Sequence, residues 1–192
     1  MSETKPRPGL PPRVILALVV ALFVLPILIA GWMARHQAGL GQHLVNHGIF
    51  IRPPLDIAAD PDVAALRAVT LDPGEWAVVY FTSGACDVGC TAAVATLLTL
   101  KSLLGNAATR VRIVRVTDAA AAAEHGLIAI ADARARRRLS ALATSPDDPQ
   151  ASDRGVVFLD WRGQIMMRFA DTAAPADIKS DLKRLLRASK IK

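Results

Sequence analysis

The sequence predicts an α/β protein in which a single N-terminal transmembrane helix precedes one compact domain with a mixed sheet. Three observations carry this. An unbroken apolar run stands near the N-terminus. Further on, short apolar runs rich in β-branched residues alternate with helical stretches, and the last two flank a glycine-containing turn. The length of 192 residues suits one anchor and one domain of ordinary size, not two full domains.

Composition narrows the class. Hydrophobic residues make up 52% of the chain but aromatics only 5%, so Ala- and Leu-rich helices on a modest core are expected. The net charge is +6. The basic residues fall into groups: Lys5, Arg7 and Arg13; Arg134, Arg136, Arg137 and Arg138; and Lys179, Lys183, Arg184, Arg187, Lys190 and Lys192, interrupted by Asp177 and Asp181. These read as solvated faces or a topology signal, with contact to anionic lipid the next option. No nucleic-acid partner is expected, because aromatic–basic interleaving and zinc or helix-turn-helix signatures are missing. Nothing indicates disorder, collagen or a disulfide-rich scaffold.

From Val14 to Ala34 there is no ionisable side chain. About 20 apolar residues span a hydrocarbon core of about 30 Å, and a spanning segment must be helical to satisfy its own backbone. Pro26 is tolerable in such a helix as a local kink, and Trp32 suits the far interface. Lys5, Arg7 and Arg13 precede the run and only Arg35 closely follows it, which places the N-terminus in the cytoplasm. A cleaved signal is disfavoured, since the run exceeds the usual apolar region and its small-residue exits carry large residues at the first position. The expected layout is a cytoplasmic N-terminus at 1–13, the span at 14–34, a juxtamembrane connector at 35–69 and an extracytoplasmic domain at 70–192.

The connector contains Gly39, Gly41, Gly48, Pro53, Pro54 and Pro61, so long regular structure is not expected, apart from a helical turn at 62–67. Trp76 to Phe81 reads as a buried strand. Cys86 to Leu104 reads as a mostly buried helix, stopped at Gly105-Asn106. Arg110 to Val116 alternates basic and apolar residues as a strand does. An Ala-rich helical stretch and a helix over 133–143 follow, then a Pro- and Asp-rich loop at 145–153. Val156–Asp160 and Gln164–Phe169 form a hairpin around Trp161-Arg162-Gly163. Met166 and Met167 point to opposite faces, so only one belongs to the core and they cannot chelate one ion together. Asp177–Ala188 is an amphipathic helix with Ile178, Leu182, Leu185 and Leu186 on its apolar side. The order β–α–β, helical connection, β-hairpin, α is that of a thioredoxin-like domain.

One constellation carries chemistry. Cys86 and Cys90, the only cysteines, sit between the first buried strand and the first long helix of the domain. A helix N-terminus stabilises a thiolate, whereas the negative charge of Asp87 opposes it. Three readings stay open: a structural disulfide or idle thiol pair, a thiol–disulfide exchange centre, and a soft-metal site, since thiolates select Cu(I). Zinc fits poorly, because it wants four ligands and two are local. Phosphate-loop, His-Glu-x-x-His and hydrolase-triad patterns do not occur.

The segment from Trp76 through Cys86-Asp-Val-Gly-Cys90 resembles the SCO (SenC) branch of the thioredoxin superfamily, as does the hairpin from Val156 to Gly163. Asn46-His-Gly48 followed by Pro53-Pro54 is similar to the connector of small anchored bacterial proteins found beside oxidase genes. The resemblance implies a thioredoxin-like fold and a membrane-anchored copper chaperone or thiol reductase serving cytochrome c oxidase assembly. Cys86 and Cys90 are then the redox pair and Cu(I) ligands, and the partners are oxidase subunits or assembly factors. It places the chain in the cell inner membrane with the domain in the periplasm. The chain departs from that pattern at Ala151 to Gly155, where SCO proteins have a copper-binding histidine and ordinary thioredoxins a cis-proline; Arg154-Gly155 stands there instead. The proline within the cysteine motif is missing as well, and the peroxiredoxin pattern fails at Val79 and Ser83. The available imidazoles are His36, His43, His47 and His125; each reads first as solvated or hydrogen-bonded, and His47 is the one to test for copper. Whether the chain is a thiol–disulfide oxidoreductase or an assembly factor stays open. The alternative is a redox-inert interaction module with a structural disulfide, binding a membrane partner.

Overall fold

In the computed structural model the described residues are 11–35, 46–120, 126–143 and 153–189. They fall into two units, divided between Val45 and Asn46. The first contains α1, Pro12–Arg35, with Pro26 inside it. Its stretch Pro12–Trp32 is long and apolar enough to cross a membrane and is not buried against protein. At 1.5 Å per residue those 21 residues span about 32 Å, which covers the hydrocarbon core.

The second unit is a six-stranded sheet with helices on both faces. Its elements are β1 (Ile49–Asp56), a 3-10 segment (Pro61–Ala68), β2 (Trp76–Thr82), α2 (Val88–Ser102), a second 3-10 segment (Gly105–Arg110), β3 (Val111–Thr117), β4 (Leu127–Ala131), α3 (Ala133–Ala143), β5 (Gly155–Asp160), β6 (Gln164–Ala170) and α4 (Pro175–Ala188). The strand order is β1-β6-β5-β2-β3-β4. β2, β3 and β4 run parallel, while β5 pairs antiparallel with β2 and β6 antiparallel with β5.

Period-two alternation divides the strands between two cores. Trp76, Val78 and Tyr80 face one layer with Cys90, Val94, Leu97 and Leu100 of α2 and Ile178, Leu182 and Leu186 of α4. Ala77, Val79 and Phe81 face the other, with Val63 and Leu66 of the first 3-10 segment and Ala135 and Leu139 of α3. Every residue of β2 is buried, as expected of a central strand covered on both sides. Met167 is core and Met166 only partly buried. The β5–β6 turn closes as its sequence indicates: Asp160 Oδ1 accepts the amides of Arg162 and Gln164, at 2.9 and 2.8 Å, and Gly163 has φ of 80°.

Three expectations need correction. The connector expected through Val69 contains a strand, β1, and the helical turn expected at 62–67 is the 3-10 segment Pro61–Ala68. β1 pairs antiparallel with β6, with an irregularity between Phe50 and Leu55 where Pro53 and Pro54 lie. Those prolines argue against a central strand but are compatible with an edge. Asp181 of α4 secures the entry to β1: it is 1% exposed and accepts the amides of His47 at 2.7 Å and Gly48 at 2.9 Å. The second correction is β4, which replaces part of the expected helical connection with a parallel strand beside β3. Third, β3 forms where a strand was expected, but its basic residues do not share a solvent face: Arg112 is exposed and pairs with Glu75, whereas Arg115 is buried. The proposed helical residues 121–125 and most of the expected loop at 145–153 lie outside the described residues.

Candidate thiol–disulfide site

The site lies where β2 ends and α2 begins. Thr82 completes the buried strand, and the chain turns through Gly84, whose φ of 68° suits a residue without a side chain. This turn is fastened to the end of β3: Gly84 N donates to Asp118 Oδ1 at 2.6 Å, and Thr117 Oγ1 donates to the Gly84 carbonyl at 2.6 Å. Cys86 follows, exposed, before the helix starts. Asp87 is the N-cap of α2, and its Oδ1 accepts the amide of Cys90 at 2.8 Å. Cys90 is therefore the third helical residue and is fully buried in the α2 core.

The two cysteines are joined in a disulfide with a Cα–Cα distance of 5.2 Å. Its sulfurs are unequal: one belongs to an exposed residue outside the helix, the other to a buried residue within it. Thr91 Oγ1 lies 3.8 Å from Cys86 Sγ and donates to the Asp87 carbonyl at 3.0 Å. Val88, next along the exposed turn, is 87% exposed.

The negative charge expected to oppose a thiolate is compensated. Arg154, just before β5, places Nη1 3.2 Å from Asp87 Oδ1 and Nη2 2.5 Å from Oδ2. The guanidinium, followed by the Cys90 amide, holds the Asp87 carboxyl below the usual carboxylate range. Asp87 in turn raises Arg154. Beneath the site, the Tyr80 hydroxyl is buried, with the Thr82 side chain as its polar neighbour. Burial pushes its acidity down, Asp171 acts in the same direction and Arg154 opposes it. Arg154 was legible only as a departure from the patterns that place histidine or proline there; the pairing with Asp87, 67 residues away, is tertiary.

Among the described residues no group of three or more His, Cys, Asp or Glu side chains is placed to hold an ion. Asp87 is committed to Arg154 and the Cys90 amide, and the guanidinium is itself a cation. His47 is directed elsewhere: Nδ1 lies 3.3 Å from Asp181 and Nε2 3.3 Å from Asp177, both on α4. His36, His43 and His125 lie outside the described residues. The fold thus brings together Cys86 and Cys90 and adds no third ligand from the described residues.

No curated protein matches the chain. Among solved structures, the apo form of Trgpx is 11% identical with a TM-score of 0.42, covering 59% of this chain and 82% of its own. A SCO1/SenC family lipoprotein from Bacillus anthracis is 15% identical with a TM-score of 0.40, over 59% of this chain and 82% of its own. Copper-bound ScoI of Bradyrhizobium japonicum is 14% identical with a TM-score of 0.42, over 74% of this chain and 99% of its own. Likeness at this level does not transfer a ligand or an activity. Residues 76–189, from the first residue of β2 to the residue that caps α4, match the family model described as "Transmembrane-like, thioredoxin-like, C-terminal domain", and the chain belongs to that family.

Proposed function

We propose that this chain is a membrane-anchored thiol–disulfide exchange protein whose domain faces the periplasm and serves the assembly of a respiratory oxidase. The observation that carries the exchange chemistry is the inequality of the two sulfurs. Attack from a partner thiolate requires access to one sulfur, and Cys86 provides it. Closing the cycle requires a second sulfur close by and shielded from stray thiols, and Cys90 provides that. The exposed Val88 beside Cys86 suits a polypeptide partner. The flanking charges, Lys5, Arg7 and Arg13 before the span, support a cytoplasmic N-terminus and hence a domain on the oxidising side. Oxidase assembly rests on the sequence resemblance around Cys86 and Cys90 to SCO (SenC) proteins.

The test is an anaerobic titration of the full chain in detergent, against glutathione buffers and separately against Cu(I). Exchange chemistry predicts ready equilibration, with a potential above about −300 mV. A lower potential, without exchange and without copper uptake, identifies a structural disulfide in an interaction module and refutes the proposal. Tight Cu(I) uptake lost in both Cys86→Ser and Cys90→Ser, with no exchange, replaces it with copper carriage.

A further inference from the structure

Arg154 stands at a fixed point where the chain enters β5. A Cβ on the next residue, Gly155, would stand 2.8 Å from the Phe81 ring and 2.9 Å from the Phe169 carbonyl, so the backbone there is pressed tightly between neighbours. From that point the guanidinium reaches across to the first turn of α2. Gly89 leaves it room: a Cβ at Gly89 would lie 2.9 Å from Arg154 Nη1. Asp87 Oδ1 accepts from both Arg154 Nη1 and the Cys90 amide. A single oxygen therefore links the guanidinium to the backbone of the buried cysteine.

Opening the disulfide moves charge into this turn. Two glutathione thiols deliver two electrons: the first thiolate attacks Cys86 Sγ, the Sγ–Sγ bond breaks and Cys90 leaves with the electron pair and takes up a proton. The second thiolate attacks the glutathione sulfur of the mixed disulfide, releasing oxidised glutathione and Cys86 as a thiolate. An uncompensated carboxylate on Asp87, adjacent in the chain, would oppose the charge on Cys86. We propose that Arg154 is a positioning residue for exchange at Cys86–Cys90, which acts through Asp87 to hold the first turn of α2 and to remove the carboxylate's repulsion from the opening disulfide. This role rests on the exchange function proposed above.

The experiment is a double-mutant cycle on the full chain in detergent, read as the equilibrium constant with glutathione at one fixed, mildly alkaline pH. Arg154→Gln is expected to shift the equilibrium toward the disulfide, roughly three- to tenfold for a solvent-screened charge. Asp87→Asn keeps a capping oxygen but removes the charge. In that background Arg154→Gln is expected to change the constant less than about twofold, because the pair is already broken. Arg154→Lys should recover most of the loss. In about 1 M salt, where screening falls to about 3 Å, the Arg154→Gln effect should shrink, which a purely structural defect would not do. An equal effect in both backgrounds, or none in either, overturns the role of Arg154 while leaving exchange intact. A wild-type disulfide that never equilibrates with glutathione overturns the exchange function, and this role falls with it.

Discussion

Replacing Asp181 by alanine should detach the outer strand of the sheet. The buried carboxylate accepts the amides of His47 and Gly48, at 2.7 and 2.9 Å, and these bonds fix the residues that lead into β1. Hydrogen bonds to a charged group contribute about 1.5–3 kcal/mol each. Gly48 is buried and loses its bond outright, whereas the side chain of His47 is 43% exposed and its amide can re-solvate as the segment loosens. One full bond plus part of another gives about 2–4 kcal/mol, or roughly 5–15 °C in melting temperature for a domain of this size. Thermal denaturation of the full chain in detergent, followed by circular dichroism, measures this. Limited proteolysis should show new cleavage between residues 46 and 56. Asp181→Asn, which keeps one acceptor oxygen, should fall between wild type and alanine. A melting temperature within about 2 °C of wild type for Asp181→Ala would show that β1 is held by its pairing to β6 alone.

Three further predictions follow from the site. In the reduced protein, alkylation should go rapidly to Cys86 and slowly to Cys90; equal rates in peptide mapping would contradict the inequality of the sulfurs. Asp87 and Asp60 are held below the usual carboxylate range, Asp60 chiefly by Arg138, so their pairs stabilise the fold fully above about pH 4 and are lost as pH falls through the folded values below that. The amide resonance of Cys90 should therefore stay flat from neutral pH to about 4 and move below it; movement already near pH 6 would assign the cap to another group. Tyr80→Phe removes a buried hydroxyl that has Thr82 as its polar neighbour but no well-aligned hydrogen bond, so urea denaturation should stay within about 1 kcal/mol of wild type. A loss beyond about 1 kcal/mol would mean the hydroxyl is bonded.

The parts of the fold legible in the sequence are those set by a local period. The uninterrupted apolar run gives α1, the continuous run from Trp76 gives β2, the Gly163 turn gives the β5–β6 hairpin, and the stripe of Ile178, Leu182 and Leu186 gives α4. β1 was not legible because Pro53 and Pro54 are breakers everywhere except at an edge, and edge position is a property of the assembled sheet. β4 is a five-residue apolar run beside an Ala-rich stretch, where helix and strand share the same short pattern. At the site, the cysteines announced themselves by position, between a buried strand and a helix. The charge of Asp87 was visible too, but its cancellation was not: it depends on Gly155 and Gly89 allowing the guanidinium of Arg154, just before β5, to reach the first turn of α2.

The prolines of β1 also bear on crowding. Copies held to one bilayer by a helix such as α1 would share a surface rather than a volume and so meet often. An open strand edge would then invite one sheet to extend into the next. Here the outermost strand lacks amide donors at Pro53 and Pro54 and loses regular register at that point, and the opposite margin, β4, offers five residues. Both margins are poor templates, so two copies of the domain that meet gain little by joining sheet to sheet.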